Sequence, residues 1–102
     1  MTYKLILKQQ AVADTTAGYL YYEGQQNGLG DRFLKVLRQQ YSELVQNPQL
    51  YSYISADKEK TFRDVKLRHF PYIVMFDIVG ADVIIYAVHN TYKKRPSIDL
   101  FE

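Results

Sequence analysis

The sequence predicts an α+β domain in which an antiparallel pair of helices packs on one face of a mainly antiparallel sheet. Two observations predict this class. Apolar residues recur at helical spacing between about residues 10 and 45, and the flanking segments carry the alternation or the short apolar runs of strands. The chain has 102 residues, 47% of them hydrophobic, so we expect residues 1–102 to form one domain with a small core.

The first half of the chain predicts a strand followed by a helical hairpin. "TYKLILK" is a short, largely alternating segment, which indicates a strand. From about Gln10 the spacing becomes helical, and "NGLG" at residues 27–30 supplies the glycines that end one helix and turn the chain into the next. Asn47 and Pro48 end the second helix. Its apolar stripe consists of Phe33, Val36, Leu37, Tyr41, Leu44 and Val45.

The second half predicts a loop and three strands. Residues 49–61 are mixed and polar, which predicts a loop with a short extended piece near Tyr53 and Ile54. Strands are predicted at residues 62–67, 72–79 and 82–89. Gly80 and Ala81 separate the last two apolar runs, as in a tight β-hairpin. The complete order is therefore β-α-α-β-β-β.

Composition restricts the function classes. The chain has no cysteine, which excludes disulfides and thiolate metal sites and suits a reducing cytoplasm. The N-terminus lacks the apolar stretch of a signal peptide or a membrane span, so we expect a cytoplasmic protein without a membrane partner. The net charge of only +2 is a weak overall argument for nucleic-acid binding, although cations cluster locally.

The cations at the predicted strand of residues 62–67 and those after the last strand are the candidate functional groups. Alternation along residues 63–69 places Lys66 and Arg68 on one side and Arg63 on the other. His89 ends the last strand, on the side of Val83, Ile85 and Ala87. If the strands are adjacent, the cations and His89 converge at the rim of the sheet. The alternative is a solvated strand edge, with His89 as an ordinary terminal polar residue.

Several other chemistries have no support in the sequence. There is no HExxH motif or carboxylate cluster for a metal, "GLGD" lacks the spacing and lysine of a phosphate-binding loop, and no serine lies in a nucleophile elbow. We therefore expect no metal and no cofactor. Cations, histidines and tyrosines suit contact with a polyanion, or metal-free RNA cleavage by a general base and acid.

Four segments together resemble a known family. "YYEGQQNGLGDRFLKVL", "NPQLY", "FRDVKLRHFPYIVMF" and "VIIYAVHNTYKKRP" are similar to the RelE/ParE superfamily of toxins from bacterial type II toxin–antitoxin systems, often labelled plasmid-stabilisation proteins. The resemblance covers residues 3 to about 96 and implies the same fold. It also implies a cognate antitoxin as partner. The expected assembly is either a toxin homodimer or a toxin–antitoxin hetero-oligomer.

The resemblance implies a toxic activity and leaves its target open. The first expectation is a RelE-like, metal-independent endoribonuclease that cuts mRNA on the ribosome. The alternatives are a ParE-like, non-catalytic inhibitor of DNA gyrase and a degenerate, inactive member.

The resemblance also suggests site residues. Arg63 matches the arginine that opens the family's second strand, and His89 matches the histidine that ends its last strand. Tyr92 stands where the family usually has a basic residue, and Arg95-Pro96 lies two positions late, which keeps the degenerate alternative open. The expected catalytic set is Arg63, Lys66, Arg68, His89 and Tyr92, and the expected RNA-binding set is Lys93, Lys94 and Arg95.

Overall fold

The computed structural model of the chain describes residues 2–54 and 57–94, and it has the predicted order of helices and strands. The α-helices and strands are β1 (Lys4–Leu7), α1 (Gln9–Gln25), α2 (Leu29–Leu44), β2 (Phe62–Lys66), β3 (Tyr72–Val79) and β4 (Asp82–Asn90). The predicted β-α-α-β-β-β arrangement is confirmed. The last strand extends one residue beyond the prediction, and β2 ends one residue before it.

The four strands form one mixed sheet in the order β1-β4-β3-β2. The pairs β2/β3 and β3/β4 are antiparallel, and β3 turns into β4 through Gly80, whose φ of 60° suits glycine. β1 pairs with β4 in parallel. A parallel pair needs a long crossover, and in this chain the helical hairpin begins that crossover.

The Glu23 side chain, near the end of α1, stabilises the turn between the two helices. Gly28, with a φ of 87°, precedes α2 and has no side chain with which to cap it. The Glu23 carboxylate accepts hydrogen bonds from the backbone N–H groups of Gly28 (3.0 Å) and Gly30 (3.0 Å). A carboxylate at this place satisfies orphan amides and complements the positive end of the helix dipole. The helix therefore begins at Leu29, ahead of the first residue of the predicted apolar stripe.

The main core lies between the helices and one face of the sheet. Phe33, Leu37, Tyr41 and Leu44 project from α2 as the predicted stripe requires, and they are buried. The sheet contributes Leu67, Tyr72, Val74, Phe76, Val83, Ile85 and Val88 to the same cluster. The second face of the sheet carries a smaller cluster of Ile54, Phe62, Ile73, Met75 and Ala87.

A β-bulge in β4 changes which residues share a face. Met75 pairs with Ala87, whereas the next residue, Phe76, pairs with Ile85, so Tyr86 is the extra residue. Val83 and Ile85 therefore point towards the helices, whereas Ala87 and His89 point to the second face. The prediction that His89 shares a side with Val83 and Ile85 was wrong, because the inserted residue reverses the alternation.

The segment between α2 and β2 is more ordered than the predicted loop. Pro48–Leu50 form a short 3-10 helix, which the sequence did not predict. Tyr53 then forms a single antiparallel bridge with Arg63, which confirms the extended piece expected near Tyr53. Within the described part of the chain, no helix has the length and apolar character needed to cross a membrane.

Candidate functional site

Arg63 is engaged in contacts that hold the 3-10 segment to the sheet. It pairs with Phe76 and so lies on the helix-facing side of β2. Its guanidinium group donates hydrogen bonds to the carbonyl oxygens of Gln49 (3.2 Å) and Tyr51 (2.6 Å). It also donates to the Tyr53 hydroxyl at 2.7 Å and stacks 4.0 Å from the centre of that ring. These contacts occupy both terminal nitrogens of the group.

Lys66 and His89 lie on the second face of the sheet, on either side of Ile73. Lys66 pairs with Ile73, and Ile73 pairs with His89, so all three side chains project from the same face. Two strand spacings separate the backbones of Lys66 and His89 by about 10 Å. The His89 Nε2 atom lies 3.0 Å from the carbonyl oxygen of Lys93. The fold places Lys66 and His89 on one face and Arg63 on the other.

Arg68 lies on the helix side, against α2. The chain leaves β2 at Lys66, and His69 adopts a positive φ of 67° in the connection to β3. Arg68 forms an ion pair with Glu43 at 3.3 Å, and both side chains are largely solvated. The prediction that Arg68 shares a side with Lys66 was wrong, because the strand ends and the chain turns before Arg68.

A groove with a volume of about 670 Å³ runs between α2 and the connection of β2 to β3. Its lining combines cations with acids: Asp31, Arg32, Lys35, Glu43, Arg68 and His69. The opposite charges are interspersed, so this groove has no strong preference for an anion or a cation.

Tyr92, Lys93 and Lys94 form an exposed turn after β4. The Thr91 N–H and hydroxyl groups donate to the Pro71 carbonyl oxygen at 2.8 and 2.9 Å, and the Tyr92 N–H donates to Asn90 Oδ1 at 2.9 Å. The Tyr92 side chain is 86% exposed. Arg95, predicted to bind RNA with the two lysines, lies outside the described residues.

An aromatic cluster joins the end of α1 to the loop before β3. The Tyr22 ring centre lies 5.1 Å from Tyr21, 4.8 Å from Phe70 and 6.2 Å from Tyr72. Burial first, and then the nearby Tyr72, raise the pKa of Tyr22 to about 12, so its hydroxyl stays protonated at neutral pH. Sequence reasoning missed this cluster because its rings come from distant segments. The many tyrosines were its only signal.

The described residues contain no group of three or more His, Asp or Glu side chains placed to hold a metal ion. Among the predicted catalytic residues, the fold brings only Lys66 and His89 to a common face, and it places Arg63, Arg68 and Tyr92 in separate surroundings. Such an arrangement suits binding through a surface more than proton transfer within a closed site.

Comparison with known proteins assigns the family. A family model described as "ParE toxin of type II toxin-antitoxin system, parDE" matches residues 5–92, which is most of the chain. The chain belongs to the ParE toxin family. This ParE-family member is thus a toxin of a type II toxin–antitoxin system, and its membership implies an antitoxin as partner.

A solved chain supports the same fold for this ParE-family toxin. It comes from the chromosomal ParDE TA system from P. aeruginosa and superimposes with a TM-score of 0.72 at 20% sequence identity. The match covers 87% of this chain and 96% of that chain. At this identity the likeness is one of fold. No curated protein matches the sequence.

Proposed function

We propose that this ParE-family toxin is a non-catalytic inhibitor of DNA gyrase that acts by binding. The observation that carries the proposal is the separation of the expected catalytic cations. Arg63 lies on the helix side of the sheet, bound to Gln49 and Tyr51, whereas His89 projects from the second face. The match to a ParE model also supports it, because the resemblance implies gyrase as the target of ParE-like members.

Metal-free RNA cleavage makes demands that this arrangement does not favour. A general base and a general acid must both reach the reacting phosphate within hydrogen-bonding distance, with a cation at the phosphorane. Ile73 separates Lys66 from His89, and Glu43 pairs with Arg68. Binding to a protein target makes no such demand on His89.

The test combines induction in bacteria with an assay on purified protein. Wild type, His89→Ala and Lys66→Ala are compared for growth inhibition, for transcript 5′ ends and for inhibition of supercoiling by purified gyrase. We expect both variants to inhibit supercoiling within about twofold of wild type, since inhibition by binding needs neither a general base nor a general acid at these positions. New transcript ends are expected in none of the three.

Two results would contradict this proposal. Transcript ends inside translated frames that disappear in His89→Ala would establish the ribonuclease instead. A folded wild-type protein that neither slows growth nor inhibits gyrase would be an inactive family member. Lys58→Ala, at an exposed lysine near the opposite end of β2, is the matched control for the loss of one surface cation.

A further inference from the structure

Two loop segments meet at the end of the sheet where β2 and β4 finish and β3 begins. Residues 68–73 and 89–94 are joined by the Tyr72–Asn90 pairing and by two hydrogen bonds from Thr91 to the Pro71 carbonyl oxygen. The Lys93 N–H also donates to the Asn90 carbonyl oxygen at 3.0 Å. These bonds fix the backbone of the turn that carries Tyr92, Lys93 and Lys94.

Two exposed tyrosines lie at this junction, Tyr92 within it and Tyr21 beside it through Tyr22. Tyr92 is 86% exposed and Tyr21 is 58% exposed, although tyrosine rings usually bury most of their apolar surface. Tyr22 contacts both Tyr21 and Phe70, so the Tyr21 ring stands on a packed aromatic base. Tyr92 lies close enough to the same cluster to contribute to the raised pKa of Tyr22. We call Tyr21, Tyr92, Lys93 and Lys94 the aromatic–lysine surface.

The junction is also positively charged. Residues 68–73 and 89–94 include one arginine, two lysines and two histidines, and they contain no aspartate or glutamate. Arg68 is neutralised by Glu43, whereas Lys93 and Lys94 are exposed. The charge therefore complements an anion, and the exposed rings offer faces on which a flat ligand can stack.

We propose that the aromatic–lysine surface binds single-stranded nucleic acid, with unpaired bases stacked on Tyr92 and Tyr21 and phosphates against Lys93 and Lys94. Proteins that bind single-stranded nucleic acid stack its bases on aromatic side chains and hold its phosphates with basic side chains. Bases in a duplex are covered by their neighbours and do not offer a free face. This binding does not rest on the gyrase proposal, since it concerns a different ligand.

The test is fluorescence anisotropy of the purified protein with labelled oligothymidylate and oligouridylate of about 20 nucleotides, longer than one binding site. Tyr92→Ala should weaken binding at least about fivefold, the loss expected from one base–ring stack, whereas Tyr92→Phe should retain it. Lys94→Ala should reduce the slope of log affinity against log salt concentration by about 0.7. The relative affinities of the two oligonucleotides show whether DNA or RNA is preferred.

Controls separate the surface from general effects. Leu50→Ala removes another exposed apolar side chain and Lys58→Ala another exposed lysine, and both should bind as wild type does. Circular dichroism confirms that each variant is folded. No binding at low salt, unchanged binding by Tyr92→Ala, or equal affinity for a duplex of the same length would overturn the proposal. The supercoiling assay on the same variants reports on gyrase separately.

Discussion

At the scale of single residues, two aspartates respond to their surroundings in opposite directions. The Asp57 carboxylate accepts backbone N–H groups from Phe62 (2.6 Å), Thr61 (2.7 Å) and Glu59 (3.2 Å), which lowers its pKa below the ordinary 3.8. Burial against the second face raises the pKa of Asp77 above the same value. The first group stabilises the fold when it is ionised, and the second is costly to ionise.

We therefore predict that an asparagine substitution at each aspartate changes the unfolding free energy in a different pH range. Because the pKa of Asp57 is lower in the folded state, its contribution is complete above 3.8 and is lost as the pH falls below it. Asp57→Asn should flatten the fall in unfolding free energy in that range. Asp77→Asn should raise stability at neutral pH, because the folded state no longer carries a charge that burial disfavours.

The measurement is urea unfolding at a series of pH values. The wild-type m-value provides the control, since a changed m-value would indicate a change in the denatured or native ensemble. An Asp57→Asn variant with the same acid slope as wild type would contradict the assignment of the turn carboxylate.

At the scale of single elements, the two glycines of α1 have different surroundings. An added Cβ at Gly18 would lie 2.8 Å from the ring of Phe33, a buried core residue with little room to move. An added Cβ at Gly24 would meet no atom within 4 Å. Gly18 is therefore needed where α1 packs on α2, whereas Gly24 only adds backbone freedom to the helix.

These surroundings predict opposite effects of the same substitution. Gly18→Ala should lower the unfolding free energy by about 1–3 kcal/mol, because Phe33 must shift in a packed core. Gly24→Ala should raise it by about 0.5–1 kcal/mol, because alanine loses less backbone entropy in a helix. Chemical denaturation of the two variants, each the control for the other, measures both. Equal effects of the two substitutions would exclude close packing at Gly18.

At the scale of the whole molecule, Asp14 links the helical layer to the sheet. Its Oδ2 atom accepts the backbone N–H of Val88 at 3.0 Å, and its Oδ1 atom accepts from Gln10 at 2.7 Å. Val88 follows the bulged part of β4, and the pairing of β1 with β4 ends three residues earlier, at Ile85. The bond joins residues separated by most of the chain and helps to set α1 over β4.

We predict that Asp14→Ala lowers the unfolding free energy by about 1–2 kcal/mol, allowing for the partial exposure of the site. Asp14→Asn is the control, because its amide oxygen can still accept the Val88 N–H group. Global stability by urea denaturation and hydrogen exchange at the Val88 amide provide the readouts. Loss of equal size in both variants would indicate that the charge, and not the hydrogen bond, holds the layers together.

The order of the helices and strands was predictable because local signals encode it. The apolar stripe of α2 and the glycines at residues 28 and 80 act over a few residues, and their outcomes are confirmed. Only the ends of β2 and β4 differ from the predicted bounds, by one residue each. The 3-10 segment was missed because Arg63, which binds it, belongs to another element.

By itself, the sequence determined the α+β class, the succession of elements and, through its motifs, the toxin family. The tertiary structure alone decided which candidate residues meet. The bulge at Tyr86 moved His89 to the second face, and the turn at His69 moved Arg68 to α2. Periodicity specifies a face only while the register is unbroken, and pairings between distant segments determine where the register breaks.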